Sequence, residues 1–138
     1  MAKPTSSTAS SACPCGSGLP YSACCGRYHD GGAAAGQAPT PEALMRSRYS
    51  AFVLDLRPYL LATWHASTRP GEIEPPEPGL KWLGLEVRQA PAPAESSGQV
   101  AFVARYKIGG RAHRLEENSE FVREAGRWYY VKALADAS

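Results

Sequence analysis

The stretch CPCGSGLPYSACCGRYHDGG, residues 13–32, holds every cysteine of the chain, at positions 13, 15, 24 and 25. Thiols at that density constrain their segment strongly, because they become disulfides, a redox pair or metal ligands. Disulfides suit a secreted scaffold, and the N-terminus MAKPTSSTASSA lacks the apolar run of a secretory signal. Cys24 and Cys25 are adjacent, and the small ring that closes between neighbours strains the bond. A redox pair takes the form C-x-x-C at a helix start, and that spacing is absent. The remaining reading is C-x-C-x8-C-C, four soft anionic donors that suit a tetrahedral Zn²⁺ at about 2.3 Å, with iron as the alternative ion. Four thiolates close the coordination shell, so such a metal is expected to fold the peptide and to leave no position for substrate.

The intervening residues agree. Gly16, Ser17 and Gly18 predict a tight turn that aims backbone amides at the sulfurs of Cys13 and Cys15. Pro14 stiffens the first ligand pair, and Gly26 is expected to end a helical turn carrying Cys24 and Cys25. The whole stretch resembles the SEC-C motif, the metal knuckle at the C-terminus of the SecA translocation motor. The opening of the motif is present in Cys13, Cys15, Ser17 and Gly18 and its ending in Cys24 and Cys25, with Tyr21 where many members carry Lys or Tyr. In SecA the knuckle docks the chaperone SecB and touches the ribosome through basic residues. Only Arg27 and Lys3 stand near the cysteines in this chain. The resemblance therefore implies four metal ligands and a protein partner reached through the knuckle, without naming that partner.

The rest of the chain reads as one globular domain. At 138 residues, 43% hydrophobic and 20% charged, it can bury a core. The formal charge of +2 makes no case for nucleic acid or an anionic membrane as a partner. Apolar runs such as LLATW are far too short to span a bilayer, so a cytoplasmic protein is expected. Residues 1–12 read as a disordered lead, 13–29 as the knuckle, 30–39 as a Gly/Pro/Ala linker and 40–135 as the main domain. A linker of that kind predicts a knuckle thermodynamically separate from the domain.

Thr40-Pro41-Glu42 predicts a helix start, and Leu44, Ser47/Arg48, Ala51 and Phe52 recur at helical spacing with one face toward a core. A second helix is predicted through LRPYLLATWH, with His65 capping its C-terminus. Beyond the proline-rich segment 67–79 the period becomes that of strands, over 80–89, 99–108, 112–124 and 127–135. Two helices followed by an antiparallel meander make an α+β layer, a cystatin-like cone with helices on the concave face of a curved sheet. LMRSRYSAF, YLLATWHAS, WLGLEV, FVARY, ENSEF and GRWYYVKA are similar to blocks of the YchJ-like family of uncharacterised bacterial proteins. In that family a SEC-C knuckle precedes a nuclear-transport-factor-like domain, the same cone. Some members carry a second knuckle at the C-terminus; this sequence shows one.

Cones of this kind enclose a cavity, and the fold alone assigns it no task. Leu115, Glu117, Ser119 and Phe121 share one face by alternation, which puts Glu117 inside. Its expected partners are Arg46, Arg48 or His65 from the helices, or Arg105 from the neighbouring strand. A buried ion pair tying helix to sheet is the commoner outcome, and an acid–base site the rarer one. Arg48, Trp64, His65, Trp82, Arg105, Tyr106 and Glu117 are thus the candidate pocket residues, with the aromatic ones core first and lining second. No nucleophile stands beside a base, no Gly-rich phosphate loop is present, and no residue is assigned a catalytic role. The expected function is an interaction or binding module whose structural zinc knuckle docks a protein. The alternative is a small-molecule binder or enzyme with a polar cavity in the cone, and an open cavity with converging polar groups would favour it.

Overall fold

The computed structural model describes residues 12–29 and 38–134. Apart from Ala12, the expected lead lies outside the described residues, as does the expected linker apart from Ala38 and Pro39. Three short helices, α1 (Gly26–His29), α2 (Pro41–Leu54) and α3 (Arg57–Ala62), precede four strands, β1 (Lys81–Gln89), β2 (Ser97–Ile108), β3 (Arg111–Glu124) and β4 (Arg127–Ala133). The strands form one antiparallel sheet in sequence order, a meander. The α+β class predicted from the change of period is the one observed.

Local chemistry accounts for most of the boundaries. The Thr40 hydroxyl accepts from the Ala43 amide at 3.0 Å, and Pro41 opens α2 where its missing N–H costs nothing. Asp55, in the left-handed region at φ 58°, ends that helix. Gly109-Gly110 and Ala125-Gly126, all with positive φ, turn β2 into β3 and β3 into β4. The second helix is shorter than its spacing predicts and stops at Ala62. From Thr63 the chain pairs with β4 instead. Tyr130 N–H donates to Thr63 O at 2.9 Å, and His65 N–H donates to Tyr130 O at 2.7 Å. Those bonds take the backbone groups that another helical turn would need.

α2 is the central element, and it is buried on two faces. Met45, Arg48, Tyr49 and Phe52 fall on one stripe and look toward the sheet, while Arg46, Ser47 and Ser50 fall on the opposite side and meet the knuckle. Arg46 Nη1 donates to Cys15 O at 2.9 Å, and His29 Nε2 donates to Ser47 O at 2.8 Å. The four cysteines and Tyr28 join Leu44, Tyr49, Val100, Phe121 and Trp128 in one continuous core. The expectation of few contacts between knuckle and domain is therefore corrected. The linker spacing suggested few crossing contacts, but the knuckle folds back and covers the outer face of α2.

Candidate functional site: metal centre and cavity

The knuckle is a short hairpin closed by the Ala12–Pro20 bridge. Cys13 N–H donates to Leu19 O at 2.9 Å, and Gly16, at φ +82°, makes the reversal between them. The second ligand pair follows a single 3-10 turn, Tyr21–Ala23. Gly26 does not end a helical turn, as expected, but begins α1. A side chain there would stand 2.8 Å from Tyr21 O, so the residue serves close packing.

The four sulfurs lie within 4.8 Å of one another, and all four cysteines are buried. Sulfurs about 2.3 Å from a tetrahedral ion stand roughly 3.8 Å apart, and Cys15 Sγ and Cys24 Sγ are already 3.6 Å apart. Ser17 Oγ lies 3.1 Å from Cys24 Sγ, and Ser50 Oγ lies 3.5 Å from Cys13 Sγ. Toward thiolates both hydroxyls act as donors and orient the ligands. The Cys25 thiol is pushed up, first by its hydrogen bond to Cys15 and then by burial, and burial also pushes up Cys24. That same bond holds Cys15 down at about 4. Crowded thiols thus resist ionising together unless a cation sits among them, and the donor set suits one. The cluster can hold a metal ion with no open position.

On the other side of α2 a cavity of about 280 Å³ lies between the helices and the concave face of the sheet. Its apolar wall comes from Met45, Phe52, Trp82, Phe102 and Phe121, and Leu115 stands at its edge. Phe52 and Leu115 are 40% and 41% exposed, so the space reaches solvent beside them. Arg48 is the buried cation of this cavity. Its Nη1 donates to Leu60 O at 2.8 Å and Thr63 Oγ1 at 2.7 Å. The guanidinium carbon is 5.1 Å from the Trp64 ring centre and 4.5 Å from that of Tyr130. Burial lowers its pKa to about 10. Glu117 accepts from Ser119 Oγ at 2.6 Å. Tyr130 faces both charges, and its phenol is pushed up by burial and then by Glu117, with Arg48 opposing.

Of the pocket candidates, Arg48, Trp64, Trp82 and Glu117 line the cavity together. Three others do not. Arg105 has the parity opposite to Phe102 and Ala104, so it leaves the outer face and approaches Glu86 at 3.6 Å. Tyr106 has the inward parity but lies beyond the cavity, packed on Trp82 and stacked on His113 at 5.1 Å. His65 neither caps a helix nor enters the cavity; its Nε2 meets Glu124 at 3.2 Å and its Nδ1 meets Ser67. The expected ion pair of Glu117 is also absent, since among the described residues no guanidinium or imidazole nitrogen stands within 4.0 Å of its carboxylate. Met45, Tyr49, Phe52, Phe102, Ala104, Leu115, Ser119, Phe121 and Tyr130 complete the lining, and His29, Ser47 and Ser50 join the knuckle to α2. Ser119 was legible from its alternation with Glu117 and Ser47 as a core-facing position of α2, whereas nothing local marks Ser50 or His29.

These features define an NTF2-like α+β cone preceded by a SEC-C knuckle. A family profile described as the YchJ middle NTF2-like domain matches residues 40–133, and one for the SEC-C motif matches residues 10–27. The chain belongs to the YchJ-like, UPF0225 family. It is 61% identical over 124 residues to a UPF0225 protein of Methylibium petroleiphilum, covering 90% of this chain and 88% of that one. A UPF0225 protein of Bordetella parapertussis is 55% identical over 131 residues, covering 95% of this chain and 96% of the other. The solution structure of a SEC-C motif containing protein from Rhodopseudomonas palustris superposes with a TM-score of 0.76 at 33% identity, over 90% of this chain and 98% of that one. A crystal structure of a SEC-C motif containing protein from Psychrobacter arcticus gives 0.73 at 28% identity, over 95% and 87%. Among the described residues no helix is long and apolar enough to cross a membrane.

Proposed function

We propose that the protein is a small-molecule-binding cone whose N-terminal knuckle is held in place by a structural Zn²⁺ on Cys13, Cys15, Cys24 and Cys25. The observation that carries the reading is the cavity itself, aromatic-walled, reaching solvent beside Phe52 and Leu115, with Arg48, Glu117 and Ser119 converging in it. A largely apolar concavity with a few placed polar groups is the usual form of a ligand site. At about 280 Å³ it falls just below the usual range, which begins near roughly 300 Å³, so it suits a small ligand. The metal neutralises and ties four thiolates, and it is given no part in binding or chemistry.

Docking of a protein on the knuckle has less in its favour. The exposed apolar side chain of the knuckle hairpin is Leu19, and isolated surface leucines are ordinary. Metal-loaded full-length protein titrated with a set of small aromatic compounds, neutral and charged, tests the cavity reading. Quenching of Trp64 and Trp82 fluorescence that saturates is expected for at least one compound. Failure of every compound, together with capture of a protein that Cys24→Ser does not capture, would move the knuckle to the front. Elemental analysis of protein prepared without chelator separates zinc from iron.

A further inference from the structure

The way Arg48 is bonded points to the chemistry of the ligand, an inference that rests on the cavity reading above. Both hydrogen bonds of its guanidinium leave from Nη1, to Leu60 O and Thr63 Oγ1. No buried side-chain nitrogen or oxygen in the described residues lacks a partner. Nε and Nη2 make no bond among the described residues, so they must reach open space, and the cavity is the space that Arg48 lines. Those two nitrogens form the side-on fork whose parallel N–H groups match the two oxygens of a carboxylate. The cation is 5% exposed, and no carboxylate of the described residues stands within 4.0 Å of it. Glu117 acts on it only across the cavity, without direct contact, and a buried charge with no direct ion pair is costly, a cost that an anion seated on the fork relieves.

We propose that the cavity binds a small aromatic monocarboxylate, its carboxylate on the Nε/Nη2 fork of Arg48 and a hydrogen-bond donor at its other end directed to Glu117. The walls select the body of the ligand. Trp64 and Tyr130 already flank the guanidinium, and Phe52, Trp82 and Phe121 offer ring faces and edges for a flat apolar group. The volume of about 280 Å³ limits that group to about one substituted ring. Glu117 sets the polarity of the far end. The carboxylate takes the Ser119 hydroxyl and the Tyr130 phenol, and with about four lone-pair sites it can still accept from a hydroxyl or amino group. A second carboxylate at that end would meet a like charge and be rejected.

The test uses the metal-loaded full chain and five probes of one size: para-hydroxybenzoate, benzoate, benzamide, benzylamine and terephthalate, with indole as a neutral control. Tryptophan fluorescence and calorimetry read the affinities. Para-hydroxybenzoate is expected to bind at least about tenfold more tightly than benzamide, and terephthalate to bind more weakly than benzoate. Arg48→Gln should abolish the preference for acid over amide, and Arg48→Lys should weaken it by removing the fork. If those variants do not fold, the probe series on the parent protein decides by itself. Equal binding of benzoate and benzamide, or a preference for benzylamine, overturns the carboxylate assignment and leaves the cavity reading standing. No saturable binding by any probe, indole included, overturns both.

Discussion

Glu117 and Tyr59 show how single side chains depart from simple patterning. Glu117 points inward as alternation requires, yet its partners are the Ser119 and Tyr130 hydroxyls rather than an arginine. A buried ion pair broken by Glu117→Gln would lose about 3–5 kcal/mol. With hydroxyls as partners, the amide oxygen of Gln still accepts, and the substitution is expected to cost less than about 1 kcal/mol in urea unfolding. A loss above about 3 kcal/mol would reveal a charge partner that the geometry does not contain. Tyr59 has its hydroxyl 2.7 Å from Ser47 Oγ, and burial raises its pKa from 10.0 to about 12. The folded state favours the neutral phenol. Its contribution is therefore complete below pH 10 and is lost as the pH rises from there through about 12. The stability difference between the parent and Tyr59→Phe should stay constant below that window and shrink within it. Unfolding curves measured at a series of alkaline pH values check the sign.

Among the elements, α2 carries the organisation of the molecule. One stripe of it walls the cavity, and the other is the seat of the knuckle, through Arg46 to Cys15 O, Ser47 O to His29 and Ser50 to Cys13. Ser47 and Ser50 are fully buried although both are polar, because hydrogen bonds to the helix, to Tyr59 and to the knuckle satisfy them. A chain beginning at Ala38 would uncover that face and strand these groups. It is expected to lose at least about 3 kcal/mol relative to the metal-loaded parent, the sum of a buried Tyr28 and several satisfied polar contacts. Equal melting of the two proteins would show that the contacts between knuckle and helix contribute nothing.

At the level of the molecule, the metal centre and the cavity share one core with only α2 between them. Without the proposed ion, four crowded thiols would not keep the hairpin closed, and the hairpin covers α2. Chelation under reducing conditions is therefore expected to lower the Tm by about 10 °C or more and to keep a single transition, read by calorimetry. Two transitions, with the higher one at the temperature of the parent, would show independent units. A centre that shapes α2 also shapes the wall containing Met45, Arg48, Tyr49 and Phe52, so ligand affinity should fall along with the metal content.

What could be read along the chain was what a few neighbouring residues decide. The C-x-C-x8-C-C spacing placed four sulfurs at one point, Thr40-Pro41 capped a helix, and alternation over 115–121 turned Glu117 inward. Even the exclusion of Arg105 was legible, since it alternates against Phe102 and Ala104. Each of these signals acts within a turn, a strand or a ligand loop. The second buried face of α2, the strand-like course of Thr63 to His65 along β4, and the choice of Arg48 for the cavity while Arg46 goes to the knuckle had no such local signal. They depend on which distant surfaces meet. Arg46 and Arg48 are two positions apart, which turns them roughly 200° from one another around the helix. Only the packing of a knuckle on one side and a sheet on the other determines which of them meets the knuckle and which lines the cavity.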